Sequence, residues 1–244
     1  MFNIMEIAEG SARVIQSVQR AFELLEGVAS SNEGARLSEL ADGVGINRST
    51  AHNLLASMEA LGYVEQESKG APYRLTGKLA RLVRPAVEAE QALRRRMHPI
   101  LERIAQQTGE TSYLAVVSGD EYLCVEAVQS AESLRLTVVP GEREPLLGTA
   151  IGHALLADDP GLAARLATAN VAQWSGNEVR VLDARRAGYA LDLDQFHPGV
   201  SCVAASIGSN AAIGVAGPSV RLPETRLVKI ADTVRTILGG AESL

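Results

Sequence analysis

Arg48, Ser49, Thr50, His52 and Asn53 gather a guanidinium, two hydroxyls, an imidazole and a carboxamide into one short stretch. Such groups hydrogen-bond nucleic acid: a carboxamide pairs bidentately with adenine, and an arginine reaches guanine or a phosphate. Spacing is what would turn them into a reading surface. Ala51, Leu54, Leu55 and Met58 recur at i, i+3, i+4 and i+7, the apolar stripe of a helix. At roughly 100° per residue, Ser49, Asn53 and Ala56 point directly away from that stripe. Thr50 and His52 flank the outer face, and Arg48 sits in the first turn. A polar outer face near a helix N-terminus is where a recognition helix meets bases and phosphates.

The elements that would hold this helix in place flank it. Leu40, Ala41 and Val44 give a short amphipathic helix, and Gly43, Gly45 and Asn47 punctuate the passage to the next one. Helix, glycine-bearing turn and second helix make the unit that enters a DNA major groove. Downstream, residues 63–67 read as a strand, 68–71 as a turn and 72–75 as a returning strand. That hairpin lies where a winged helix carries its wing. Lys69 and Arg74 would contact backbone phosphates there, which positions a protein without reading sequence.

The segment LSELADGVGINRSTAHNLL, the opening VIQSVQRAFELLEGVA and the wing ending in PYRLT together resemble the DNA-binding domain of the IclR family of bacterial transcriptional regulators. The resemblance continues through PILERIAQQTGETSYLAV, PGEREPLLGTAIGHALLA, RAGYALDLDQFHPGVSCVAASI and GVAGPSVRL, in order and close to the length of the chain. It implies a winged helix-turn-helix over 11–76, a linker helix over 77–98, and a GAF-like α/β effector-binding and oligomerisation domain over 99–244. The overall class is α+β. Residues 1–10 read as a disordered tail.

Composition fits that division. The chain has 244 residues, 46% hydrophobic and 21% charged, which is ordinary for a globular protein. No apolar run reaches the roughly 18 residues of a membrane span. The first residues lack a basic and then apolar leader pattern, so a cytoplasmic protein is expected. Cys124 and Cys202 have no metal-ligand spacing and read as buried thiols. Neither metal nor cofactor is expected. The net charge of −6 runs against DNA binding, but phosphate contacts are local. Between residues 36 and 84 the cations Arg36, Arg48, Lys69, Arg74, Lys78, Arg81 and Arg84 outnumber Glu39, Asp42, Glu59, Glu65 and Glu67.

The linker pattern predicts helix broken at Pro85 and again at Pro99, since an internal proline removes a hydrogen bond. Its stripe of Leu79, Leu82, Val83, Ala86 and Val87 is an expected dimer seam, and Arg94–Arg96 an exposed face. Beyond it, strands are expected over 111–117, 121–128, 134–139, 201–207 and 212–216, with helices over 150–157, 178–187 and 223–238. Asp159-Pro160 reads as a cap and first turn of a further helix.

Ala150, Ile151 and Gly152 open a helix whose free N–H groups would attract a carboxylate or carbonyl oxygen. The resemblance places the family's small-molecule pocket at this turn, at Asp192, around Val200 and Cys202, and on the strand carrying Gly214 and Ala216. Several relatives have serines at those last two positions. Their loss implies a wider pocket with two fewer hydroxyls, and so a larger or less polar effector: aromatic, amide-bearing or acyl, in place of a very small keto acid. Asn53 stands where the family commonly has arginine, which shifts the expected contact toward adenine. The implied partners are double-stranded operator DNA, a small organic effector (carbonyl, carboxylate, amide or aromatic) and further copies of the chain, as dimer or tetramer. The expected function is ligand-controlled operator binding, with repression favoured. A ligand-blind DNA-binding or scaffolding protein is the alternative. An enzyme with an appended DNA-binding module is less supported: no GxSxG or HExxH occurs, and Cys202 near His197 sits in an apolar run.

Overall fold

The computed structural model describes residues 14–31, 33–208 and 210–241; the expected N-terminal tail lies outside them. The chain divides into two compact units, Met1–Ala89 and Glu90–Leu244.

The first unit contains α1 (Gln16–Ala29), α2 (Leu37–Val44), α3 (Arg48–Ala60) and a hairpin of β1 (Val64–Glu65) and β2 (Arg74–Leu75). Each element starts and stops for a local reason. Gly45 ends α2 in the left-handed region at φ +69°, a conformation that carries little penalty only without a Cβ. Asn47 then caps α3, its side-chain oxygen accepting from the Thr50 N–H at 2.8 Å, a contact worth about 1 kcal/mol. Leu24, Leu40, Ala41, Ala51, Leu55, Met58, Val64 and Tyr73 form one core. Burying a side chain such as Leu24 or Leu55 stabilises by about 1.5–3 kcal/mol. The hairpin pairs Val64 with Leu75 and Glu65 with Arg74, a shorter ladder than expected. Tyr73 is bridged instead to Ala35, so the segment before α2 acts as the wing's third strand.

The second unit is built on six antiparallel strands in the order β5-β4-β3-β8-β7-β6. These are β3 (Thr111–Ser118), β4 (Glu121–Val128), β5 (Arg143–Pro145), β6 (Ala190–Leu193), β7 (Val200–Ser206) and β8 (Ala211–Pro218). Side chains alternate between faces along a strand, so each face has its own core. One packs Tyr113, Cys124, Cys202, Ala204 and Ala212 under α5 (Ala150–Asp158), α6 (Pro160–Ala169) and α7 (Val171–Ala187). The other packs Leu114, Val125, Val203, Ile213 and Val215 against the second half of α4 (Lys78–Thr108) and α8 (Glu224–Ala241). Asp159 caps α6 through the N–H groups of Gly161 and Leu162, with Pro160 in the first turn, as the sequence suggested.

Three expectations are corrected. First, α4 runs unbroken through Pro85 and Pro99. Each proline forfeits one hydrogen bond, but good helix formers flank both, and Met97, Leu101 and Ile104 anchor the distal half in a core. Second, residues 134–139 form no strand. Side chains satisfy their backbone instead: Thr111 donates to the Leu136 carbonyl at 2.6 Å, and Gln129 donates to the Val138 carbonyl at 2.6 Å. With these groups paired, the sheet edge passes to β5. Third, α7 starts at Val171, and the short strand β6 follows it.

Candidate functional site

On α3, the core claims Ala51, Leu55 and Met58 and leaves Arg48, Ser49, His52 and Asn53 exposed, with Thr50 half-buried. The side chains of Arg48, His52 and Asn53 have no hydrogen-bond or ionic partner among the described residues. Ser49 is partly committed, donating to Asn47 Oδ1 at 2.7 Å. In the wing, Lys69 is exposed and unpaired among the described residues. Arg74 is not free in the same way: Nη1 lies 2.9 Å from Glu67 Oε1, and Nε donates to the Glu33 carbonyl at 3.2 Å. Lys78 donates to the Leu61 carbonyl at 2.7 Å and lies 4.4 Å from the Tyr63 ring centre. A polar ridge with uncommitted donors, a capped N-terminus and a wing beside it is the surface of a winged helix that reads duplex DNA.

The second unit holds a cavity of about 410 Å³ on the helix-covered face of its sheet, a size suited to a small ligand. Six of the eight positions expected at an effector site line it: Ala150, Ile151, Asp192, Val200, Cys202 and Ala216. Gly152 and Gly214 do not. The Gly152 backbone lies against the Leu146 carbonyl, and a Cβ at Gly214 would stand 2.4 Å from Tyr113 Cζ. Gly214 pairs with Tyr113 across the ladder, and the ring covers the space that a side chain would take. The expected widening is therefore absent at this position. The tyrosine fills it and presents its own hydroxyl to the cavity.

Sequence reasoning missed Tyr113, Tyr122, Glu144, Phe196 and His197, which also line the cavity. Glu144 comes from β5 and His197 from the loop after β6, the two opposite edges of the sheet. Yet His197 Nε2 and Glu144 Oε1 are 2.6 Å apart, so the sheet curls until its edges meet across the cavity. Tyr122 donates its hydroxyl to the other oxygen of Glu144. Tyr113 Oη lies 3.4 Å from Cys202 Sγ.

Burial governs the protonation states here. It raises the Tyr113 and Tyr122 hydroxyls above the usual phenol range and pushes the Cys202 thiol up to about 12. A thiol held protonated, with His197 turned to Glu144, lacks the thiolate–imidazole geometry of a cysteine nucleophile. Asp192 is 7% exposed, and its carboxylate accepts from the backbone N–H groups of Gln195 at 3.1 Å and Phe196 at 3.3 Å. Desolvation raises its pKa, against the lowering effect of those two N–H groups and of the Arg180 and His197 charges nearby. No group of His, Cys, Asp and Glu among the described residues could hold a metal ion. No helix among them is long and apolar enough to cross a membrane.

A winged helix joined in one chain to a sheet domain with a cavity of ligand size defines a ligand-responsive, DNA-binding transcriptional regulator. Residues 86–238 match the bacterial transcriptional regulator IclR C-terminal family, and residues 17–68 match the IclR helix-turn-helix domain. The chain belongs to the IclR family. It is 33% identical to the glycerol operon regulatory protein of Streptomyces griseus, over 89% of this chain and 92% of that protein. It is 29% identical to the transcriptional repressor IclR of Escherichia coli, over 93% and 91%. Among solved structures, an IclR family regulator from Brucella abortus has the same fold, with a TM-score of 0.59 at 20% identity over 95% and 93% of the two chains. An IclR homolog from Microbacterium hydrocarbonoxydans, crystallised with 4-hydroxybenzoate, has a TM-score of 0.59 at 23% identity over 93% and 98%.

Proposed function

We propose that the chain is a cytoplasmic repressor that binds an operator as a homodimer or a dimer of dimers. Arg48, Ser49, Thr50, His52 and Asn53 meet DNA from α3, and Lys69 and Arg74 meet it from the wing. The observation that carries this reading is the uncommitted state of Arg48, His52 and Asn53 on an otherwise well-capped helix. The exposed Leu82, Val83 and Val87 of α4, together with Val14 and Ile15 just before α1 and Val18 and Phe22 on it, are the apolar surfaces that a second copy would cover. Two such copies would place their recognition helices in successive major grooves of a pseudo-palindromic site.

In the second unit, Ala150, Ile151, Asp192, Val200, Cys202 and Ala216 are the proposed effector contacts, with Tyr113 taking the place expected of Gly214. An effector that prefers one conformation changes operator affinity, and operator DNA must then change effector affinity by the same factor. The test is a titration against the intergenic DNA upstream of its own gene, at two salt concentrations and with scrambled competitor. Saturable binding that survives competitor supports the reading. Binding lost equally to any DNA, or absent at low salt, would overturn it for that site.

A further inference from the structure

We infer that the cavity takes an organic ammonium compound with an oxygen acceptor at its other end, such as an amino alcohol or an amino acid; this rests on the cavity being the effector site. Asp192 carries the argument. It is almost fully buried, its direct hydrogen-bond partners are two backbone N–H groups, and it makes no direct ion pair among the described residues, Arg180 and His197 acting on it only from a longer distance. Buried carboxylates are ordinarily matched by a cation. Glu110 in the same unit has its own, with Arg221 at 2.7 Å.

The rest of the lining repeats this imbalance. Glu144 has only Tyr122 and His197, and Glu142 accepts from the Val139 N–H at 3.0 Å. No lysine lines the cavity. The arginine that does, Arg143, is occupied by Ser118 Oγ at 2.8 Å and by Glu121 at 3.6 Å. Three lining carboxylates, Glu142, Glu144 and Asp192, against one imidazole and one occupied guanidinium, beside the rings of Tyr113, Tyr122 and Phe196, form a setting for a positively charged group. The opposite preference sits at α5. The N–H groups of Ala150 and Ile151 have no acceptor among the described residues, and the positive end of the helix favours oxygen. A bare organic acid could use α5 but would leave Asp192 without a cation in direct contact. A ligand with both ends satisfies both.

The test is thermal denaturation and calorimetric titration of the full chain with matched probes. 4-Aminobutan-1-ol and 4-aminobutyrate carry the ammonium group, butan-1-ol and butyrate lack it, and 4-hydroxybenzoate is an aromatic acid. The amines are expected to raise Tm with concentration, since a ligand that binds only the folded chain stabilises it. Asp192→Asn should weaken amine binding by about tenfold or more, the difference between a charge-assisted and a neutral contact. Glu144→Gln provides the same test if the first variant fails to fold. Butyrate or 4-hydroxybenzoate binding as tightly as the amines overturns the inference and leaves the cavity as effector site. Amine binding indifferent to both substitutions overturns it too, because the ligand then sits elsewhere. If no probe binds, the inference also falls, and the operator titration decides separately whether the regulator reading stands.

Discussion

Glu110, just before β3, is 1% exposed and is held by Arg221 at 2.7 Å and by Arg226 at 3.4 Å. Asp192, on β6, is 7% exposed, has backbone N–H groups as its direct partners, and feels Arg180 and His197 only from a longer distance. The two carboxylates belong to one folding unit, and burial penalises both. The first is compensated within the chain and joins the segment before β3 to the turn after β8. The second has no cation in direct contact within the chain. The same contrast divides the DNA-binding unit, where Arg74 is tied to Glu67 while Arg48 and Lys69 are free among the described residues. A charge matched internally supports the fold, and one left unmatched is available for function.

The largest expected effect breaks the internal match. Glu110→Ala should cost about 3 kcal/mol of stability, because it removes a buried partner and leaves two guanidiniums without it. Urea unfolding measures this, and a loss below about 1 kcal/mol would place Glu110 with ordinary surface pairs. Next comes the free amide on α3. Asn53→Ala should relax base preference at one position per half-site by about 1–3 kcal/mol, read by titration against single-base operator variants. Unchanged discrimination would remove Asn53 from the reading surface.

A smaller effect separates the two arginines. Arg48→Ala should lower the slope of log affinity against log salt by about one, whereas Arg74→Ala should lower it less, its charge being shared with Glu67. Equal slopes would show that the Glu67 pair opens on DNA. The smallest effect is the pH dependence of Asp192. Burial raises its folded pKa above the 3.8 of an unperturbed carboxyl, so the folded chain holds this proton more tightly than the unfolded one. Between 3.8 and the raised value, the Asp192 contribution to stability falls as pH rises. Its cost is fully present above the raised value and absent below the unfolded one. Asp192→Asn should flatten that part of the stability–pH curve, read from urea unfolding across that pH range. A parallel curve would show that Asp192 gains a cation in solution.

The helix-turn-helix was legible because every signal in it is local. Apolar spacing sets α2 and α3, Gly45 supplies the left-handed turn, and Asn47 caps the next helix within three residues of its partner. The hairpin of β3 and β4 and the Asp159-Pro160 start of α6 were legible for the same reason. Residues 134–139 misled because their β-rich composition matched a strand, while Thr111 and Gln129 had already taken their backbone groups. Pro99 misled because its local penalty was outweighed by the packing of Met97, Leu101 and Ile104, and Pro85 because the helix formers on both sides carry α4 through it.

The cavity was half legible. Resemblance named Asp192, Cys202 and Ala216, but only the folded sheet brought Tyr113, Tyr122, Glu144 and His197 to them. Glu144 and His197 are separated by 53 positions in the chain and lie at opposite edges of the sheet, so no pattern along the sequence could pair them. What the sequence alone determined was the helix-turn-helix, the outward face of α3 and the family, since helix period, caps and turns act within a few residues. The tertiary structure decided which charges were cancelled and which were left open, because that depends on how the curled sheet brings distant side chains together.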